Sequence, residues 1–140
     1  MTHNKEELSS GILVKVNNNY AIGHVTHREW YDIFKGHVEN QETILQAALR
    51  ECKEESSIEF DAKDLTYVGF FDYTKKKDMV LFLGRKNDLK VEHMKCTTFL
   101  ENGSPEMDGF EIVSFNEMIS KVSKAMKNLL KYYEQDIRSF

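Results

Sequence analysis

Two cysteines, one proline and one tryptophan in 140 residues already remove several possibilities. Cys52 and Cys96 are too few and too far apart for a structural zinc site or a disulfide framework, so they are expected to be buried thiols. The histidines are equally dispersed: His24, His27 and His37 lie near one another in sequence but without the spacing of a metal cluster. A lone proline, Pro105, rules out a polyproline linker and marks one loop. Nowhere do about 18 apolar residues run together, and no apolar stretch follows MTHNKEELSS, so neither a membrane span nor an export signal is expected and the cytoplasm is the expected compartment. The net charge of −4 disfavours a surface that coats long nucleic acid, while a local basic pocket for phosphates would be invisible in that sum. Repeats and low-complexity segments are missing as well. With 41% hydrophobic residues, the chain supports one domain spanning 1–140.

Residues 1–8 are polar and expected to fray. Ser10–Val16 and Tyr20–Val25 are β-rich runs around three asparagines that tolerate positive φ, which predicts a hairpin. Glu29–Phe34 reads as a short strand entering Lys35-Gly36. A helix is predicted from Thr43 to Ser56, where Ile44, Leu45, Ala48 and Cys52 recur at helical spacing. Leu65–Tyr73 and Met79–Leu83 predict a second hairpin around the lysine-rich tip 74–78, a tip expected mainly to keep the protein soluble. Val91–Phe99 and Glu111–Phe115 read as further strands. Val122, Met126, Leu129, Leu130 and Tyr133 predict one amphipathic closing helix over Ser120–Ser139.

Within the first helix the acids are unusually placed. At about 100° per residue, Glu51, Glu54 and Glu55 fall within an arc of about 100°, beside the apolar stripe. A solvated helix would intersperse such charges with lysines at i+4. Clustered hard oxygens call for a cation, and carboxylates with water favour Mg²⁺ or Mn²⁺, the usual partners of substrate phosphates, over zinc.

Gly36, Glu42, Arg50, Glu51, Glu54, Glu55 and Ile58 stand at the spacings of the signature of Nudix hydrolases, which this chain resembles. Six fixed residues at about one in ten each, over about a hundred starts, would coincide by chance in about one chain in 10⁴. One position departs: Ser57 stands where the family has glycine after the acidic pair. Glycine there ends the helix in a left-handed conformation, so Ser57 is expected to add about 1 kcal/mol of strain without removing a chemical group.

The resemblance implies an α/β/α sandwich with a mixed central sheet, a catalytic loop and helix, and a C-terminal helix. It implies Mg²⁺, with Mn²⁺ possible, held by Glu51, Glu54, Glu55 and a backbone carbonyl of Lys35 or Gly36. Glu54 is preferred as general base, closely followed by Glu51, and Glu42 and Arg50 are implied to brace loop against helix. The run Lys35-Gly36-His37-Val38-Glu39 is similar to that of asymmetric diadenosine tetraphosphate hydrolases, although Phe34 replaces the usual proline. On that likeness Lys35 contacts a distal phosphate, and Glu106, before the last strand, supplies a further metal ligand or base. Tyr73 and Phe110 are candidates to stack on a nucleobase. The implied substrate is a nucleoside diphosphate linked to another moiety, a dinucleoside or nucleoside polyphosphate above all. Removal of pyrophosphate from RNA 5′ ends, hydrolysis of ADP-ribose or nucleoside triphosphates, and a non-catalytic nucleotide-sensing module are the alternatives.

Overall fold

The computed structural model describes residues 5–140. Its centre is β1 (Glu7–Val16), whose run GILVKV is buried throughout because both of its faces are covered. Leu13 packs with Tyr20, Ile22, Met79 and Leu81 on one face, while Ile12, Val14 and Val16 pack with Ala48, Cys52 and Phe82 on the other. That alternation is the period-two geometry of a strand with a core on each side.

β1 and β2 (Asn19–Val25) form the expected hairpin, closed by Asn17 at φ 57°. β3 (Tyr31–Asp32) pairs with β2, and β4 (Phe34–His37) pairs antiparallel with the first half of β1. The single strand expected over Glu29–Phe34 is therefore two, because the chain changes partner at Ile33. There the Asp32 side chain takes over the backbone bond, its Oδ1 accepting the Ile33 N–H at 2.9 Å. The second hairpin consists of β5 (Thr66–Asp72) and β6 (Lys77–Arg85), and β6 lies parallel to β1. The last strand, β7 (Met107–Val113), pairs with β2 and completes a seven-stranded mixed sheet. Helix α1 (Ile44–Ser56) covers one face. Helices α2 (Phe115–Lys121), α3 (Lys124–Tyr132) and α4 (Glu134–Ser139) cover the other, which gives the expected three-layer α/β/α arrangement.

Several boundaries differ from those the sequence suggests. Glu7 and Leu8 lie in β1 rather than in a frayed end, and the expectation for residues 1–4 falls outside the described residues. The final strand begins at Met107, and Phe115 belongs to a helix because Ser114 caps it, accepting the Glu117 N–H at 3.2 Å. The closing helix is interrupted by a second cap, Ser123, whose hydroxyl accepts the Met126 N–H at 3.3 Å. Val91–Phe99 is no strand of the sheet. After a 3-10 turn at Val91–His93 it runs past the end of α1, where the Lys95 N–H donates to Ser56 O at 3.0 Å and the Thr97 N–H to Glu54 O at 2.8 Å. Its alternation reflects burial of Met94 and Cys96 against α1, and its backbone groups satisfy the carbonyls left open at the helix end.

Ser57 adopts the left-handed conformation that glycine normally supplies, φ 67° and ψ 10°. Its hydroxyl donates to Lys95 O at 2.6 Å, tying the helix end to the 91–99 segment. The strain of about 1 kcal/mol and a hydrogen bond of about 1 kcal/mol nearly cancel. Ser57→Gly is thus expected to leave stability within about 0.5 kcal/mol of wild type, whereas Ser57→Ala, which keeps the strain and loses the bond, should cost about 1 kcal/mol in a urea melt. Equal stability of the two variants would remove the tether from this account.

Candidate functional site

β4 delivers Lys35 and Gly36 to the flank of α1, and the loop that follows is locked to the helix start. Thr43 and Gln46 form a reciprocal cap, with the Gln46 N–H donating to Thr43 Oγ1 at 3.0 Å and the Thr43 N–H to Gln46 Oε1 at 2.9 Å. Arg50 then draws four partners together. It meets Glu42 in a two-point contact at 2.7 and 3.0 Å, donates to His37 O at 2.9 Å, and reaches Glu51 Oε2 at 3.1 Å and Glu54 Oε1 at 3.2 Å. Glu42 and Arg50, which the resemblance pairs, are brought together, and the guanidinium also faces two of the three clustered acids. Its hydrogen bond holds the Glu42 carboxyl below the ordinary carboxylate range.

Glu55 turns inward. It is 8% exposed, and its Oε1 accepts the backbone N–H of Lys35 at 2.9 Å. Burial, reinforced by nearby Asp32, pushes its carboxyl well above the usual range. Glu51 is pushed up to about 7, first by burial and then by Glu54 and Glu106, with Arg50 opposing. Its side chain lies against Gly36, where an added Cβ would fall 2.5 Å or less from three atoms of the Glu51 carboxyl group. Lys35 extends its ammonium to Asp32 at 3.0 Å, 5.8 Å from the Tyr73 ring centre. Burial alone would lower its pKa, but Asp32, Tyr73 and Glu55 outweigh burial and raise it.

Asp32, Lys35, Glu55 and Glu106 line one cavity of about 590 Å³. Glu106 reaches it because the Thr26 N–H donates to Glu106 O at 3.1 Å and the Glu106 N–H donates to Thr98 O at 3.0 Å, which fixes the backbone between two loops. Tyr73 stands beside Lys35, outside the cavity lining. Phe110 stands apart: it packs on Phe34 with ring centres 6.2 Å apart and lines a separate groove with Phe99 and Pro105. Asp32 is the residue that sequence reasoning missed. Its signal was slight, an acid three positions before Lys35 in a stretch read as one plain strand.

Among the described residues, no three His, Cys, Asp or Glu side chains are gathered tightly enough to form a finished metal cage. The donor set nevertheless fits a hard divalent ion. Glu51 and Glu54 share one cation already, Glu55 and Glu51 are carboxyls whose ionisation is opposed by burial and by neighbouring acids, and all offer oxygen. Glu51, Glu54 and Glu55 would hold such an ion, with a carbonyl from Lys35 or Gly36.

Two results should follow without added metal. Arg50→Ala leaves Glu42 and Glu51, each with a side chain 14% exposed, next to Glu54 with no cation between them. A loss of about 2–3 kcal/mol is expected, at the low end for a broken buried pair because Arg50 is partly exposed, and a divalent ion should restore part of it. Thermal melts with and without Mg²⁺ measure both; an unchanged melting temperature would dismiss the brace. Stability should also fall as pH rises. Glu51 and Glu55 hold their protons more tightly folded than unfolded, so their penalty is absent below the ordinary carboxylate pKa and grows through about 7 for Glu51. Glu51→Gln should flatten that decline in melts taken between pH 5 and 8; an equally steep decline in the variant would contradict it.

A model of the NUDIX domain matches residues 11–133. No curated protein matches the sequence. Among solved structures, the chain is similar to an Ap4A hydrolase of C. elegans in a binary complex, at 21% identity and a TM-score of 0.69, covering 96% of this chain and 99% of that one. It is also similar to a Francisella tularensis bifunctional NMN adenylyltransferase/ADP ribose pyrophosphatase complexed with AMP and a Mn ion, at 13% identity, TM-score 0.70 and 97% coverage, although it spans only 43% of that protein. The NUDIX domain of Shewanella oneidensis NrtR, complexed with ADP ribose, matches with TM-score 0.73 at 6% identity, over 96% of this chain and 90% of that one. These identities speak to the fold; the domain match, which spans most of the chain, shows that the protein belongs to the Nudix hydrolase family.

Proposed function

We propose that the protein hydrolyses a phosphoanhydride bond in a nucleoside diphosphate linked to another moiety, a dinucleoside or nucleoside polyphosphate being favoured, with water as the nucleophile and Mg²⁺ as the cofactor. The observation that carries this reading is the convergence of Lys35-Gly36, from β4, on Glu51 and Glu55 of α1, at a cavity that Glu106 enters from the opposite loop. A divalent ion held by these oxygens supplies charge neutralisation on the phosphates and acidifies water.

The chain's own residues supply the rest. Arg50 orients Glu51 and Glu54 through its shared guanidinium, and Glu42 holds Arg50 against the loop. Glu51 or Glu54 accepts the proton of the attacking water, and Glu106 is placed to assist from across the cavity. Lys35 carries positive charge on the cavity wall, suited to a phosphate further along the substrate. The names of similar structures, with Ap4A, ADP ribose and AMP among their substrates and ligands, support a nucleotide. We place the reaction in the cytoplasm; among the described residues no helix is long and apolar enough to cross a membrane.

The test is a screen with Mg²⁺ and Mn²⁺ over dinucleoside polyphosphates, nucleoside triphosphates, ADP-ribose and triphosphorylated RNA, with products identified by mass. Mg²⁺-dependent cleavage of a dinucleoside or nucleoside polyphosphate, abolished by chelation, is the expected result. Tight nucleotide binding without any turnover would make the protein a sensing module instead.

A further inference from the structure

The cavity beside the carboxylates has a second end. One wall there is the turn after β2, with Val25, Thr26, His27 and Arg28; the other is the loop 99–105, which contributes Leu100. That loop is itself a small hairpin, bridged at Phe99 and Pro105 and closed by the Leu100 N–H donating to Ser104 O at 2.7 Å. Its tip residue, Asn102, meets His27 Nε2 through Nδ2 at 3.1 Å, joining two loops 75 positions apart in sequence. The polarity of this contact is fixed, because Asn102 Oδ1 already accepts the Ser104 N–H at 2.9 Å. The amide nitrogen therefore donates, and His27 Nε2 accepts.

Three features at this end fit a flat heterocycle with a polar edge. Thr26 is 8% exposed, and its hydroxyl has no hydrogen-bond partner among the described residues. A buried hydroxyl normally has one, and a rotation about χ1 would turn this one without moving the backbone. Arg28 lines the same wall with its guanidinium held over the Trp30 ring at 5.6 Å, and that planar cation can stack on a second aromatic surface. Val25, Leu100 and Met107 supply apolar lining. Apolar walls carrying a few polar groups, within a volume of about 300–1,000 Å³, are the usual make-up of a small-molecule site, and this end sets Val25, Leu100 and Met107 beside Thr26 and Arg28.

We propose that this end of the cavity binds the nucleobase of the substrate, with the Thr26 hydroxyl reading its polar edge, Arg28 stacking on its face, and the His27–Asn102 pair latching the two walls at a fixed separation. The inference rests on the reading that the substrate carries a nucleoside. It places the base away from Tyr73, which stands outside the cavity lining, and from Phe110, which lines a separate groove, two of the aromatics considered for stacking.

Binding in the presence of chelator separates this from the metal chemistry. Calorimetric titration with the four nucleoside 5′-monophosphates and with ribose 5-phosphate, which lacks the base, should give at least one nucleotide bound tenfold or more tightly than the sugar phosphate. Thr26→Val, which keeps the shape and removes the hydroxyl, should weaken that nucleotide about fivefold, equivalent to about 1 kcal/mol, and leave ribose 5-phosphate unaffected. Asn102→Ala should weaken it too, and an unchanged thermal melt of both variants excludes misfolding as the cause. If no nucleotide outbinds ribose 5-phosphate, or if Thr26→Val weakens both ligands equally, the base site is wrong. Glu54→Gln serves as the separating control. Loss of hydrolysis with nucleotide binding retained supports both readings, whereas base-selective binding by a wild-type protein that shows no Mg²⁺-dependent hydrolysis would overturn the catalytic one alone.

Discussion

Glu51→Gln and Glu54→Gln are each expected to reduce turnover about a thousandfold, the middle of the range for removing a general base. Their surroundings differ. Glu51 is enclosed between Arg50 and Gly36, and burial has already raised its proton affinity to about 7. Glu54 is more open, its side chain 36% exposed, and extends from the last turn of α1 to the outer side of the guanidinium. A carboxylate that takes a proton near neutral pH is better served by the first environment, and one that exchanges Arg50 for a metal ion by the second. The resemblance prefers Glu54 as base, closely followed by Glu51; we propose Glu51 on the strength of its burial. Glu51→Gln should therefore change the acidic limb of the pH–rate profile, and Glu54→Gln should raise the Mg²⁺ concentration needed for half-maximal rate. Both variants keep the shape of the side chain and remove one charge from a repelling group, so neither should melt below wild type. Full activity of either would break the link between these acids and the reaction.

The grouping of charges around α1 was legible because it is local. Arg50, Glu51 and Glu54 are brought together by the helix itself, and Glu42 joins them from the loop just before it. The orientation of Glu55 was not legible in this way, since its partner is a backbone N–H on β4, set by strand pairing rather than by spacing along the helix. Thr26 was missed for the same reason, since its neighbour Glu106 is set against it by contacts between loops; Asp32 meets Lys35 only three positions on and was passed over because the stretch reads as one plain strand. The sandwich was implied by the resemblance, and the buried runs of β1 and β6 fit it, since a sheet covered on both faces buries both sides of its central strands. The misread strand at Val91–Phe99 shows the limit of period-two patterns. Met94 and Cys96 alternate because one side of an extended segment packs on α1, and extended chain buried on one side gives the same pattern whether or not it joins a sheet. The closing helix was split by Ser123 and the last strand cut short by Ser114, each reading as an ordinary polar residue until its hydroxyl is seen on a backbone N–H.

Gly36→Ala tests whether the glycine is needed for space or for backbone freedom. Among the described residues only Gly103 is a glycine with positive φ, so an alanine at position 36 meets no backbone penalty of its own. What it meets is the Glu51 carboxyl group, 2.5 Å or less from the new methyl carbon, and something has to move. Moving the strand means disturbing β4 against β1, where Gly36 faces Ser10 in the ladder and the neighbouring Phe34 is fully buried. Moving the side chain means an altered rotamer, about 1 kcal/mol, and a weakened hydrogen bond between charged groups, about 2 kcal/mol. Part of the second cost is returned because Glu51, once displaced, is better solvated. The side chain gives way, so the expected stability loss is about 1–2 kcal/mol, whereas a carboxylate displaced by about 1 Å from its working position costs about a hundredfold in turnover. Gly36→Ala should therefore fold, melt a few degrees early, and hydrolyse its substrate about a hundred times more slowly. Adding Glu51→Gln to it should lower turnover by far less than the product of the two single effects, since both act through one carboxylate. Multiplicative losses in the double variant would show that the glycine serves something other than Glu51.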